Sequence, residues 1–152
     1  MMIKVRELLA AKSARLFSVA PGDSVEAALA VLAEHRIGAV LVLENDKLVG
    51  ILSERDCAIK VCLPGQAAAA TPVREVMTAA VLTINPDQPL EDSMALMIER
   101  DIRHVPVVEN EHVIGMISIG DVVKEQLKQQ NWLIGQLQAY IGGNYTSTSK
   151  AA

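Results

Sequence analysis

The chain repeats itself. Displaced by 65 positions, residues 16–56 lie over 81–121 without a gap, and twelve aligned pairs are identical, among them Pro21/Pro86, Glu34/Glu99, Val42/Val107, Gly50/Gly115, Ser53/Ser118 and Asp56/Asp121. Most other pairs exchange one aliphatic side chain for another, as at Val25/Leu90 and Leu29/Met94. A short preamble repeats too, VREL at 5–8 and VREV at 73–76, at a slightly larger step. A period of this length marks a supersecondary unit that cannot close its own core, so the copies are expected to pack face to face. The 152 residues fit one ordinary domain or two small units sharing a core.

Both copies carry the same order of elements. A short strand (Leu16–Val19; Val81–Ile84) meets a proline-containing turn and then an amphipathic helix, apolar at Val25, Leu29 and Leu32 and at Leu90, Met94, Met97 and Ile98. PGDS and NPDQP are expected to supply capping residues at the helix starts. Two apolar strands follow, AVLVL with LVGIL and VPVV with VIGMI, each pair joined by four polar residues, the length of a tight hairpin. Pro106 has no amide hydrogen and belongs at a strand start or edge. A second helix begins just after Ser53 and Ser118. The expected class is α/β (α+β): two β-α-β-β-α repeats in a pseudo-twofold pair, with a C-terminal helix. Along the chain this gives 1–66, 67–128 and a helix with a disordered tail at 129–152. LPGQAAAATP connects the copies, with Pro64-Gly65 breaking the preceding helix.

Half the residues are hydrophobic but only four are aromatic, so the core must be aliphatic. A net charge of −4 with no basic stripe speaks against nucleic acid as a partner. MMIKVRELL has neither the apolar stretch nor the cleavage site of a signal peptide, and no apolar run nears the roughly 18 residues of a membrane span. Cytoplasmic location is expected. Cys57 and Cys62 flank no second pair and read as reduced thiols rather than a metal site. No phosphate-binding P-loop, Gly-x-Gly-x-x-Gly, His-Glu-x-x-His or Gly-x-Ser-x-Gly occurs, and His35, His104 and His112 are scattered, so no enzyme is expected.

The most specific words are GILSERD at 50–56 and GMISIGD at 115–121. Ser followed three residues on by Asp is a capping-box pattern, which alone explains one isolated copy. The same geometry suits a ligand. A carboxylate at a helix start can accept both hydroxyls of a ribose, while a nearby serine and free amides favour phosphate. Asp56 and Asp121 fit the first task, Ser53 and Ser118 the second.

The duplicated unit, the Gly-x-x-Ser-x-x-Asp signature and RHVPVV at 103–108 closely resemble the CBS domain pair, or Bateman module, over about residues 1–128. The chain looks most like small free-standing bacterial proteins of that kind. The resemblance implies a regulatory module that binds adenine nucleotides (AMP, ADP, ATP or an NAD-type ligand) in clefts between the repeats. It also implies a disc-shaped homodimer that signals to a regulated protein of unknown identity. Carried over position by position, Asp56 and Asp121 are ribose ligands, and Arg103 and His104 phosphate contacts. Arg36 and Arg55 are further candidate cations, with solvated surface positions as the plainer reading. IRH at 102–104 aligns with IGA at 37–39, so the two clefts are expected to differ. With rings scarce, aliphatic side chains must hold the base. Ile37 and Ile102 are candidate walls, as are Val40 and Val105, for which core packing is the better reading. Ser18 and Thr83 are aligned hydroxyls in the first strands.

Beyond Asp121, Val123, Leu127, Gln130, Ile134, Leu137 and Ile141 recur at spacings of four and three, a short heptad-like stripe. It fits either packing on the chain's own module or helix pairing across a dimer, and Gly142-Gly143 marks its stop. TSTSKAA at the end lacks apolar content. Two non-enzymatic functions remain: a ligand sensor, and an assembly module with vestigial clefts.

Overall fold

Ser24 sets the start of the first long helix. Its hydroxyl accepts the N–H of Ala27 at 3.0 Å, and α2 runs Val25–His35, burying Val25, Ala28 and Leu32. Its counterpart α4, Leu90–Arg100, buries Leu90, Ser93 and Met97 but has no side-chain cap. The NPDQP side chains close the turn instead: Asn85 Oδ1 accepts the N–H of Asp87, and Gln88 Oε1 accepts that of Asn85. Both helices leave through a left-handed residue, Arg36 at φ 52° and Asp101 at φ 51°. The computed structural model describes residues 3–12 and 15–142.

Two antiparallel hairpins follow the helices, β2 (Ala39–Glu44) with β3 (Lys47–Ser53) and β4 (His104–Glu109) with β5 (His112–Ser118). Each turns through two residues of positive φ, Asn45-Asp46 and Asn110-Glu111, as the I′ geometry that matches strand twist requires. β1, Ser18–Val19, pairs parallel with β2 and makes the first sheet three-stranded. The second sheet has only two strands, and the strand expected at 81–84 is reduced to one bridge, Ile84 with Val107. Proline explains the difference. In the first copy the Leu41 N–H donates to the Phe17 carbonyl at 3.2 Å. Pro106 occupies the matching place in the second copy and has no hydrogen to give.

Each copy has its own buried cluster. Val25, Leu32, Val40, Val42 and Leu52 anchor the first, and Leu90, Met97, Val105, Val107 and Ile117 the second. The preambles cross over to close them. Helix α1 (Val5–Ala11) buries Val5, Leu8 and Leu9 in the second cluster, while Val73 and Val76 enter the first. Backbone bonds repeat the crossing: Arg6 N–H to the Pro86 carbonyl at 2.8 Å, and Arg74 N–H to that of Pro21 at 2.9 Å. Even the helix starts are covered this way, Leu90 N–H by the Ile3 carbonyl and Val25 N–H by that of Thr71. Each copy's preamble thus lies on the other copy.

Glycines permit the close approach. A Cβ on Gly115 would lie 2.6 Å from Leu9 Cδ2, and one on Gly50 2.5 Å from Met77 Sδ. After Ser53 the chain forms α3, Glu54–Cys57, then a π-helical turn, Ala58–Cys62. After Ser118 it forms one unbroken helix, α5, from Ile119 to Ile141, with Gly142 at its end. The tail expected at TSTSKAA, 146–152, lies outside the described residues. No described helix is long and apolar enough to cross a membrane.

Candidate functional site

Both Ser-x-x-Asp words fold as complete capping boxes. Ser53 Oγ accepts the Asp56 N–H at 3.1 Å while Asp56 Oδ2 accepts the Ser53 N–H at 3.0 Å. Ser118 and Asp121 repeat this at 3.1 and 2.9 Å. The plain reading of the motif is therefore realised twice, and it fixes both carboxylates rigidly at helix starts.

The first of them lines a cleft of about 270 Å³ between the copies. Four segments wall it: the α2–β2 corner with Gly38 and Ala39; the β3–α3 corner with Ser53, Arg55 and Asp56; the connector with Thr78 and Ala80 to Leu82; and the α4–β4 corner with Ile102, Arg103 and His104. The pairing is crossed. The acidic word of the first copy meets the basic pair of the second, a combination that spacing along the chain does not reveal. Thr78 adds a hydroxyl 3.4 Å from Asp56 Oδ1, and Lys60, one helical turn on, places Nζ 3.1 Å from the same oxygen. Lys60 also donates to the Val76 carbonyl at 2.9 Å. Across the mouth Arg55 reaches Asp101 Oδ2 at 3.4 Å. Ile51, Val81, Leu82 and Ile102 give an aliphatic lining, and the imidazole of His104 is the one ring in it.

His104 stands between the copies. A Cβ on Gly38 would come within 3.0 Å of its ring, so glycine there is what admits it. Burial first, then repulsion from Lys12 and Arg103, push its pKa below 6.5, against the opposing pull of Asp121 and Glu54. The ring is neutral at pH 7 and can accept as well as donate a hydrogen bond.

Asp121 has different company. Lys12 Nζ lies 2.7 Å from its Oδ2 and 2.9 Å from the Met116 carbonyl. Burial alone would raise this carboxyl, but the Lys12 ammonium and the Ser118 amide outweigh it and hold the pKa below 3.8. Ser118 and Asp121 do not line the Asp56 cleft.

The other candidates separate. Arg36 is exposed at the end of α2, Ser18 is exposed on β1, Thr83 is exposed just before the Ile84 bridge, and Ile37 packs against the first core; none lines the Asp56 cleft. Val40 and Val105 are fully buried, core as the plainer reading has it. Cys57 is buried, and burial first, then the neighbouring Asp56, raise its thiol pKa, the reverse of an activated nucleophile. Sequence reasoning missed Thr78, Lys60 and Lys12.

The sequence profile described as CBS domain matches residues 5–61 and 73–128. The chain is 35% identical over 128 residues to the mitochondrial CBS domain-containing protein CBSX3 of Arabidopsis thaliana, covering 81% of this chain and 62% of that protein. It thus spans less than two thirds of that relative's length. Among solved structures, a CBS-domain protein from Burkholderia ambifaria MC40-6 superposes with a TM-score of 0.81 at 41% identity, covering 84% of this chain and 96% of the other. The CBS domain pair of protein MJ0100, solved with 5′-methylthioadenosine and S-adenosyl-L-methionine, has the same fold at 23% identity and a TM-score of 0.75, over 85% and 99% of the two chains. Two matched profiles, two crossed copies and one capping box in each place this chain in the CBS-domain family, as a tandem pair.

Proposed function

We propose that the chain is a regulatory module whose Asp56 cleft binds an adenine nucleotide or adenosine derivative and carries no catalysis. The observation that bears most weight is the convergence of Asp56, Thr78 and the Arg103–His104 pair on one cleft between the copies. Asp56 would accept the two ribose hydroxyls, and Ser53 with Arg103 and Arg55 would meet phosphate. Aliphatic side chains would hold the base. The volume lies near the lower end of ligand pockets, roughly 300 Å³, which suits a mononucleoside with part of the ligand left in solvent. That MJ0100's pair binds adenosine compounds supports the ligand class.

Because both copies wall the cleft, a ligand there would bias their packing, but only as far as its affinity differs between the two arrangements. A partner protein would read the change. A melting screen with AMP, ADP, ATP, NAD and S-adenosylmethionine tests the reading. At about 100 times the dissociation constant, linkage stabilises by roughly 2.7 kcal/mol, several degrees for a chain of this size. One of the five should give that shift, and Asp56→Ala should remove it. A melt unmoved by all five would leave the assembly module, with Ser-x-x-Asp as helix caps alone, as the better description.

A further inference from the structure

The step of 68 residues that takes Val5 to Val73 also takes Leu9, pressed on Gly115, to Met77, pressed on Gly50. The same step takes Lys12 to Ala80. Ala80 lines the Asp56 cleft and brings no side chain beyond its methyl. Lys12, at the matching point of the other half, reaches Asp121 and the Met116 carbonyl. The matching carbonyl in the first half belongs to Ile51; among the described residues no side chain caps it, and its partner is the Thr78 amide.

We infer that Lys12 is a tethered cation that closes the Asp121 cleft, so that the chain takes a single nucleotide, at Asp56. This rests on the nucleotide-binding reading above and adds to it the number of sites and the residue that sets it. A ribose approaching Asp121 must displace an ammonium already 2.7 Å from Oδ2, giving up an ion pair for hydrogen bonds from neutral hydroxyls. The Asp56 carboxylate also meets a lysine, but Lys60 comes along the helix from the residue's own side, i to i+4, and is held back by the Val76 carbonyl. Lys12 instead comes from the end of α1, at the position whose counterpart, Ala80, forms part of the Asp56 cleft wall. Position rather than charge separates the two.

Calorimetric titration with AMP tests this on the full chain and on Lys12→Ala, whose side chain is partly exposed and whose melting temperature serves as the folding control. The intact chain should bind one AMP, lost in Asp56→Ala and kept in Asp121→Ala. Lys12→Ala should bind a second, which Asp121→Ala then removes. Ala80→Lys, the reciprocal change, should weaken the one native site about tenfold, the scale of one charge-assisted hydrogen bond. Two AMP molecules on the intact chain, or one on the intact chain and still one on Lys12→Ala, overturns the inference while nucleotide binding stands. No AMP on the intact chain but one on Lys12→Ala supports the closure and overturns binding at Asp56. No binding by either chain overturns both.

Discussion

At the scale of single residues, the interface between the copies is governed by small groups set against charged ones. Gly38 admits the His104 ring, and that ring sits among Lys12, Asp121, Glu54 and Arg103. Its folded pKa lies below 6.5, so between the two values the unfolded chain binds more protons and stability rises with pH. Above 6.5 both states are neutral and the dependence vanishes. Asp121 acts in a separate window: its lowered pKa contributes stability that is complete above 3.8 and is lost as pH falls through the folded value. The melting temperature should therefore decline as pH drops below 6.5, and His104→Gln should flatten that decline without touching the acid limb near Asp121. A profile unchanged by His104→Gln would show that another group controls this range.

At the scale of elements, much was legible. Continuous apolar runs around short polar links gave the hairpins, and Ser-x-x-Asp gave two helix starts, because both patterns are local and satisfied within a few residues. What stayed hidden depends on contacts between distant segments. An apolar face says that a helix needs a partner without saying which, so the crossing of α1 could not be read. Nor could the meeting of Asp56 with Arg103. Pro106 was placed at a strand start or edge, but the strand lost beside it follows only once Phe17 and Leu41 are seen to bond in the other copy. Helix α5 shows the reverse case. Its stripe was legible and remains uncovered: Leu127, Ile134 and Leu137 are each about half exposed and Ile141 more so. An isolated helical projection of this length is marginal in water, so the stripe calls for a partner helix. If that partner is a second copy, as in the homodimer proposed from the resemblance, Ile134→Glu should shift sedimentation toward the monomer while leaving the module folded. A variant that sediments like the parent would exclude pairing through this face.

At the scale of the whole molecule, the crossed preambles make the two halves interdependent. Val5, Leu8 and Leu9 complete one core while Val73 and Val76 complete the other. Residues 1–66 expressed alone would expose an unfilled cluster on each side, and losing several buried aliphatic contacts costs about 2–5 kcal/mol apiece, comparable with the whole stability of a small domain. That fragment should show no cooperative melt. Cleaving the intact protein within the exposed Leu63–Gln66 turn is the complementary measurement. The two pieces should co-elute, since each still holds a helix or turn of the other, and their separation under native conditions would contradict the crossing. The crossing also reaches into inheritance. With the acid from one duplicate facing the cations of its twin, drift in either gene segment rewrites a pocket whose other wall lies in the sister segment. Twin segments wired this way cannot specialise one at a time; every amendment to one is a change of terms for both.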